Sequence, residues 1–312
     1  MIPLTYGVTP NLKQILNKIE ALRIDILTMA ISPKQERRIS WESMIDRIFW
    51  SLSYSNHAVK RGRIIEIFTK QTSTRLSSLD KEIIDYRRAL NYIYYNWLGS
   101  DKDISYRTLH EIIDIIPHQT APRFTREEIE KVMDYVKRGK DHPVVQAAIL
   151  QSAIYLLNQL DSKQTVFWQL APYISLYKYG YDIRGFLVLE EYWCNDQNTM
   201  QAMLKQTVKS DTLTLWIDYF AEALLIQLEK VKNKIAKMSF NQNVPRNFWE
   251  LNDRQKAIIE FLEAPNSTIT NKMVQKKYHI SQITASRDLT KLASLGLLLV
   301  HGKGRSVSYI RM

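Results

Sequence analysis

The chain has little cysteine, glycine or proline, and each shortage excludes a class of protein. Its single cysteine, Cys194, cannot form an intrachain disulfide and lacks the clustered cysteine and histidine partners of a zinc site. Only 9 glycines and 9 prolines in 312 residues leave few breaks for a turn-rich β protein. Hydrophobic residues make up 45% of the chain, including 17 tyrosines, which excludes a disordered protein. The composition predicts a helical protein with a sizeable core.

Long apolar runs are missing as well. No uncharged apolar stretch approaches the length of about 20 residues that a membrane-spanning helix needs. The first residues, MIPLTYGVTPNLKQ, lack the charged segment and long apolar stretch of a secretory leader. We therefore expect a protein of the reducing cytoplasm that makes no contact with a membrane. The histidines are scattered without metal-ligand spacing, so no metal site is predicted.

Basic residues outnumber acidic ones, and the excess is concentrated near the end of the chain. The formal net charge of +11 favours a polyanionic partner, although charge alone does not distinguish nucleic acid from an anionic membrane. Roughly half of the excess lies from Glu250 onward, which favours a nucleic-acid-binding module there.

Apolar residues recur at intervals of three and four as far as about Lys237, which is the pattern of stacked helices. Asp80, Thr125 and Asp141 stand where side chains cap helix starts. The polar, irregular stretch SFNQNVPRN then marks the best domain boundary. The predicted helices are Asn11–Met29, Ser40–Trp50, Lys81–Trp97, Tyr106–Ile115, Thr125–Lys137, Val144–Leu157, Thr165–Tyr179, Asp196–Gln206 and Asp211–Met238.

The chain after Leu251 reads as three helices followed by a β-hairpin. Thr270 and Ser281 are expected to cap the second and third helices, and Gly296 is expected to end the third. The stretch LLLVHGKGRSVSYIRM then alternates around HGKGR, as a two-stranded hairpin with a basic tip does. The side chains expected to pack are Ile258, Ile259 and Leu262, then Met273, Val274 and Tyr278, then Ala285, Leu289 and Leu292.

This module resembles a winged helix-turn-helix over its whole length, which implies binding to double-stranded DNA. In such modules a helix enters the major groove, and basic residues of the hairpin neutralise backbone charge. Specificity is expected mainly from the start of the third helix. The predicted DNA-binding residues are Gln282, Ile283, Thr284, Ser286, Arg287, Lys291, Lys303 and Arg305. Winged helices also act as protein-interaction or dimerisation domains, so that alternative stays open.

Three stretches of the preceding region resemble a Fic domain: HPVVQAAILQSAIYLLNQL, LAPYISLYKYGYDIRGFLVLEEYW and LTLWIDYFAEALLIQLEKVKNKI. The resemblance implies a mainly α fold, with a Fic-like helical domain followed by a small winged-helix domain of α-helices and a β-hairpin. The expected division is an N-terminal helical segment at 1–100, a Fic-like core at 101–238, a linker at 239–249 and the winged helix at 250–312.

Fic proteins are mostly AMP transferases, which move AMP from ATP to a hydroxyl group of a target protein. Their catalytic loop reads HPFx(D/E)GNGR. The histidine accepts a proton, the acidic residue holds a metal on the phosphates, the glycine-rich stretch cradles phosphate, and the arginine offsets its charge.

Counting back from LYKYGYDI places this loop on NQLDSKQTV without a gap, and most of its chemistry is missing. Asn158 replaces the histidine, Lys163 and Thr165 replace the glycines, and Val166 replaces the arginine. An asparagine has no basic lone pair at neutral pH, and side chains at the glycine positions disfavour the phosphate cradle. The residues that resemble the metal ligand are Asp161, which is one place out of step, and Ser162.

The inhibitory motif of many Fic proteins, (S/T)xxxE(G/N), is also degenerate. The stretch YSNHAVKRGR resembles its context and keeps Ser55, but Val59 and Lys60 stand where glutamate and glycine belong. The segment IIPHQTAPRF is too short for most of the β-hairpin that holds the target in this family.

These losses predict a catalytically degenerate Fic-fold protein that regulates transcription by binding DNA and uses no cofactor. Its helical domain is expected to supply dimerisation or to sense a partner, and the resemblance allows a homodimer. Two alternatives stay open: an atypical AMP transferase that uses ATP and magnesium, and an antitoxin-like interaction partner of an active Fic protein.

Overall fold

The structure is a computed structural model that describes residues 3–69, 76–116, 125–138, 141–157, 165–240, 251–262, 267–302 and 307–311. The chain divides into two units. The first comprises Met1–Ile64 and Thr74–Ala236, and the second comprises Ile65–Ser73 and Lys237–Met312. The fold is mainly α, as the sequence predicts.

The helices before residue 241 follow the predicted pattern closely. The helix at Tyr106–Ile115 has the bounds expected from its apolar spacing, and the other predicted helices are each found with shifted ends. In order, the observed helices are α1 (Pro10–Thr28), α2 (Pro33–Tyr54), α3 (Arg61–Thr69), α4 (Ser78–Trp97), α5 (Tyr106–Ile115), α6 (Arg126–Arg138), α7 (Pro143–Leu157), α8 (Thr165–Lys178), α9 (Leu189–Asn195), α10 (Gln197–Ser210) and α11 (Thr214–Phe240).

Side-chain caps fix several of these helix starts. The Oγ1 atom of Thr125 accepts a hydrogen bond from the Glu128 N–H group at 3.3 Å, as its position predicts. The prediction for Asp80 is wrong in its detail. Ser77 is the N-cap of α4, and the Asp80 carboxylate reaches back to the Ser77 N–H group at 3.0 Å. The prediction for Asp141 is also wrong, because its carboxylate instead accepts a hydrogen bond from the Tyr6 hydroxyl at 2.5 Å.

The centre of the first unit is formed by α7 and α8. Both helices are apolar around most of their circumference, and their side chains are buried from Val144 to Tyr155 and from Val166 to Tyr177. A helix that is apolar on every side is stable only when other elements surround it. Packing of α4 and α2 on α8, and of α6 on α7, provides that cover.

Four helices of the first 240 residues, α2, α3, α9 and α11, differ from the sequence prediction. The second helix begins at Pro33 rather than Ser40, because Ser32 and Gln35 form a capping box ahead of the apolar positions. The short helices α3 and α9 are not predicted, since each offers too few residues for a clear helical period. The last helix, α11, continues through Phe240, so the first two residues of the predicted linker are helical.

The second unit contains three helices and a three-stranded antiparallel sheet after residue 250. The helices are α12 (Asp253–Phe261), α13 (Asn271–Tyr278) and α14 (Gln282–Ser294). The strands are β1 (Ile269–Thr270), β2 (Leu298–His301) and β3 (Ser308–Arg311), in the sheet order β1-β3-β2. The predicted hairpin is present as β2 and β3, with Leu298 paired to Arg311 and His301 paired to Ser308. The strand β1 is not predicted, because two residues carry no alternation.

The core of the second unit is close to the predicted one. Ile258, Ile259, Leu262, Val274, Ala285, Leu289 and Leu292 are all buried in one cluster, with Tyr278 packed against it. Met273 departs from the prediction, because its side chain is 43% exposed. Among the described helices, none is long and apolar enough to cross a membrane.

Candidate nucleic-acid interface and candidate catalytic loop

The start of α14 is an exposed, mainly polar surface on a capped helix. Ser281 is the N-cap, and its Oγ atom accepts a hydrogen bond from the Thr284 N–H group at 3.3 Å. Gln282, Ile283, Ser286 and Arg287 are exposed, and the opposite face of the helix lies in the core. An isolated helix of 13 residues has only marginal stability in water. Packing of the buried face in the core therefore stabilises α14 and keeps its exposed face in place.

A buried aspartate connects α14 to α12. The carboxylate of Asp288 accepts hydrogen bonds from Arg254 Nε at 2.6 Å and from Gln255 Nε2 at 2.7 Å. Burial alone would raise the pKa of Asp288, but the hydrogen bonds from Arg254 and Gln255 outweigh it and lower the pKa. A second connection is made by Asn271 Nδ2, which donates to the Gln282 carbonyl oxygen at 3.2 Å. These contacts fasten α14 to α12 and α13 and stabilise the second unit.

The remaining predicted DNA-binding residues occupy different positions. Thr284 is half-buried, and its hydroxyl lies 3.0 Å from the Ser281 hydroxyl within the cap, so its side chain has a local role. Lys291 is half-buried farther along α14. Lys303 and Arg305, at the predicted hairpin tip, lie outside the described residues.

Two basic residues of α13 were missed by the sequence prediction. Lys272 and Lys276 are exposed and lie four residues apart, on the helix that packs against α14. Neighbouring Lys277 is engaged within the unit, with its Nζ atom 3.6 Å from the centre of the Phe261 ring. Their spacing of four residues places Lys272 and Lys276 on the same face of α13. This spacing is the signal by which the sequence could have identified them.

The predicted catalytic loop lies between α7 and α8. Asn158, Asp161, Ser162 and Lys163 lie outside the described residues. Thr165 is the first residue of α8, and the side chain of Val166 is 3% exposed, within the core. The position expected to carry the arginine of the family's loop therefore points an apolar side chain into the protein.

The predicted inhibitory motif lies after α2. Ser55 is the C-cap of that helix, and its hydroxyl donates to the Ser51 carbonyl oxygen at 3.4 Å. Val59 is buried, with 9% of its surface exposed, and Lys60 is exposed. Val59 thus packs into the first unit, where the family motif carries a charged glutamate.

A cleft of about 550 Å³ opens in the first unit beside residues 99–104. Its two lysines already have partners. Lys178 Nζ donates to the carbonyl oxygens of Ser100 at 3.1 Å and Lys102 at 2.5 Å, and Lys137 Nζ lies 3.4 Å from Asp103 Oδ2. Both lysines are therefore engaged by oxygen atoms of the protein. In the part of the chain that the structure describes, no group of three or more acidic, histidine or cysteine side chains is arranged to hold a metal ion.

Comparison with known proteins identifies the fold. No family model matches the chain, and no curated protein matches it. A crystal structure of a Fic family protein from Desulfovibrio desulfuricans G20 matches with a TM-score of 0.60 at 11% identity, over 100% of this chain and 98% of that one. The chain has a Fic-like fold. At this identity the similarity concerns the fold alone.

A second solved structure supports the same conclusion. It is a Fic domain containing signaling protein from Bacteroides thetaiotaomicron VPI-5482, which matches with a TM-score of 0.54 at 16% identity. The match covers 73% of this chain and 98% of that one. Within the Fic-like fold, the assignment of the catalytic loop to Asn158–Val166 stays a prediction from sequence spacing.

Proposed function

We propose that this protein is a catalytically degenerate Fic-fold protein that binds double-stranded DNA and regulates transcription. In this proposal, the second unit is a winged helix-turn-helix. The helix α14 enters the major groove, and the β2–β3 hairpin is the wing that lies along the DNA backbone.

One observation carries the DNA-binding proposal. The helix α14 has a buried face and an opposite exposed face whose first turns carry Gln282, Ser286 and Arg287. Amide and guanidinium groups form paired hydrogen bonds with adenine and guanine edges, which makes these side chains suitable for base readout. Exposed Lys272 and Lys276 on the neighbouring α13 add positive charge for phosphate contacts.

The proposal of catalytic degeneracy rests on the residues that replace the family's functional groups. Val166 and Val59 are buried where the family patterns carry an arginine and a glutamate. An apolar side chain in the core cannot neutralise a phosphate or block a nucleotide. Together with the asparagine at position 158, these replacements support a helical domain that has kept its fold and lost AMP transfer.

We further propose that the first unit supplies a contact for dimerisation or for a partner, and that the protein acts as a homodimer in the cytoplasm. A dimer that carries two reading helices favours operators with two related half-sites. Two related half-sites in the DNA that the protein selects would support this arrangement, and a single half-site would contradict it.

The test is selection of binding sites from random double-stranded DNA by the whole protein, followed by gel shifts at low and moderate salt. We expect an enriched sequence whose affinity falls steeply with salt, because phosphate contacts release counterions. Replacing Lys272 and Lys276 with alanine should weaken binding to all sequences about equally. Failure to enrich any sequence, with no shift of the protein's own upstream DNA at low salt, would overturn the proposal in favour of a protein-interaction module.

A further inference from the structure

The second residue of α14 is an exposed isoleucine. Ile283 exposes 66% of its surface, more than the other large apolar side chains described in the second unit, Met273 at 43% and Val300 at 54%. Its neighbours in the first turns, Gln282 and Ser286, are polar and exposed. A β-branched residue gains little from an exposed helical position, since its helix propensity is modest and no apolar surface covers it there.

Helical spacing places Ile283 beside the residue best suited to read guanine. Ile283, Ser286 and Arg287 stand at positions i, i+3 and i+4, so they form one stripe on the surface of α14. All three are exposed, and the buried residues Ala285 and Leu289 lie on the other side of the helix. An apolar group and a guanidinium group therefore lie side by side on one exposed stripe of α14.

The chemistry of the major groove offers one match for such an apolar group. Most functional groups on the base edges are hydrogen-bond donors or acceptors, whereas thymine presents a 5-methyl group. Arginine pairs with the O6 and N7 atoms of guanine. Four residues of α-helix rise by about 6 Å, and base pairs stack about 3.4 Å apart, so the two contacts fall within about two base-pair steps.

We infer that Ile283 is a specificity-determining residue that packs against the 5-methyl group of a thymine, about two base-pair steps from a guanine bound by Arg287. This inference rests on the proposed DNA binding and specifies which bases the interface recognises. The partner is double-stranded DNA with thymine in the major groove, rather than a protein surface.

The test removes only the methyl group. Each thymine in the selected site is replaced in turn by deoxyuridine, and affinity is measured for the wild-type protein and for Ile283→Ala. We expect one position where the wild-type protein loses about three- to five-fold in affinity, the effect of one buried methyl group. Ile283→Ala should bind the thymine site more weakly and should be insensitive to deoxyuridine at that position, because the two changes remove the same contact.

Met273→Ala is the matched control, since Met273 is also exposed and apolar but lies on α13. This variant should keep the full sensitivity to deoxyuridine. Melting temperatures should be unchanged for both variants, because neither side chain is in the core.

The outcomes separate this inference from the proposed function. If no DNA sequence is enriched, the proposed function fails and the inference fails with it. If DNA is bound specifically but Ile283→Ala remains as sensitive to deoxyuridine as the wild type, only the inference is overturned. Loss of self-association in Ile283→Ala, with unchanged response to deoxyuridine, would identify Ile283 as a contact between copies of the chain and would also overturn it.

Discussion

Arg47 and Glu190 form a buried ion pair, with 3.3 Å between Arg47 Nε and Glu190 Oε1 and both side chains almost fully covered. Two tyrosine hydroxyls also donate to the carboxylate, from Tyr86 at 2.6 Å and from Tyr173 at 2.7 Å. The guanidinium lies over the Tyr173 ring, 3.7 Å from its centre. Burial alone would lower the pKa of Arg47, but the surrounding tyrosines and Glu190 raise it well above its usual range. This cluster joins α2 to α9 in the first unit.

Replacing one partner of this pair should destabilise the first unit strongly. In Arg47→Met, the buried Glu190 carboxylate loses its positive partner, so we expect a loss of about 3–5 kcal/mol in the free energy of unfolding. In the double variant Arg47→Met/Glu190→Gln no charge is left unpaired, and part of that loss should be recovered. Urea unfolding followed by circular dichroism measures both changes.

The control is Lys230→Met, which removes a surface ion pair with Glu191, the residue next to Glu190 in α9. Lys230 Nζ lies 3.1 Å from Glu191 Oε2, and the lysine side chain is 50% exposed. An exposed pair contributes at most about 1 kcal/mol. Similar losses for Lys230→Met and Arg47→Met would show that burial does not strengthen the Arg47 pair.

Acid should weaken the first unit through Asp80. The pair of hydrogen bonds from Arg63, at 2.8 and 2.6 Å, lowers the pKa of Asp80 to about 2, below its usual value of about 3.9. A lowered pKa means that the stabilisation is present above about pH 4 and is lost as the pH falls towards 2. Because Arg63 is 43% exposed, solvent screening limits the effect to about 1 kcal/mol.

The measurement is the free energy of unfolding in urea at pH 6 and pH 3. Asp80→Asn should lose stability at pH 6 and show a smaller difference between the two pH values than the wild type. Asp114→Asn, a change at an exposed position of α5, should keep the wild-type difference. An unchanged pH dependence in Asp80→Asn would contradict the assignment.

Local signals in the sequence were sufficient to predict most helices. Contacts between distant residues could not be predicted from such signals. The helix α5 was predicted with its observed bounds because its apolar residues are periodic. The caps Thr270 and Ser281 were predicted from their position just before a helical pattern, and the structure confirms both. Arg47 and Glu190 are 143 residues apart, and no local pattern in the sequence marks either side chain as buried. Only tertiary packing reveals that they are buried together.

The candidate interface could also be predicted only in part from the sequence. The buried positions Ala285, Leu289 and Leu292 follow from helical spacing, so the exposed side of α14 could be assigned from sequence. The role of Asp288 could not be predicted from the sequence, because its buried contact with Arg254 depends on how α12 packs against α14. The prediction for Met273 failed because periodicity locates a face of the helix but does not fix how far that face extends.

A glycine should be required at position 296 because of its backbone conformation, and not because a larger side chain would clash with a neighbour. Its φ angle is +68°, and a Cβ atom added there meets nothing within 4 Å. Gly296→Ala should therefore cost about 1 kcal/mol, the strain of a left-handed residue at the end of α14. Gly62→Ala is the contrasting control, because Gly62 lies in α3 with equally open space and no positive φ. Calorimetry should show a lower melting temperature for Gly296→Ala only, and equal effects would contradict the backbone explanation.

The protein should not transfer AMP. Incubation with labelled ATP, magnesium and cell lysate is expected to label no protein. Asn158→His should remain inactive as well, because restoring the base leaves the glycines and the arginine of the loop missing. A labelled band that disappears in Asn158→Ala or Asp161→Ala would instead establish an atypical transferase.

Arg287 and Asp288 are adjacent in α14, and their replacement should separate DNA recognition from stability. Arg287 is exposed on the proposed reading surface, so Arg287→Ala should weaken binding to the selected site by about 1–3 kcal/mol and relax the preference at the contacted guanine. Its melting temperature should be unchanged, because the side chain is absent from the core.

Asp288→Ala should have the opposite effect. Removing this buried carboxylate leaves Arg254 and Gln255 without their hydrogen-bond acceptor, at a cost of about 1–3 kcal/mol in stability. The melting temperature of the second unit should fall, whereas the base preference of the protein that remains folded should be that of the wild type. If Asp288→Ala instead relaxes base preference without lowering the melting temperature, the exposed and buried faces of α14 have been assigned the wrong roles.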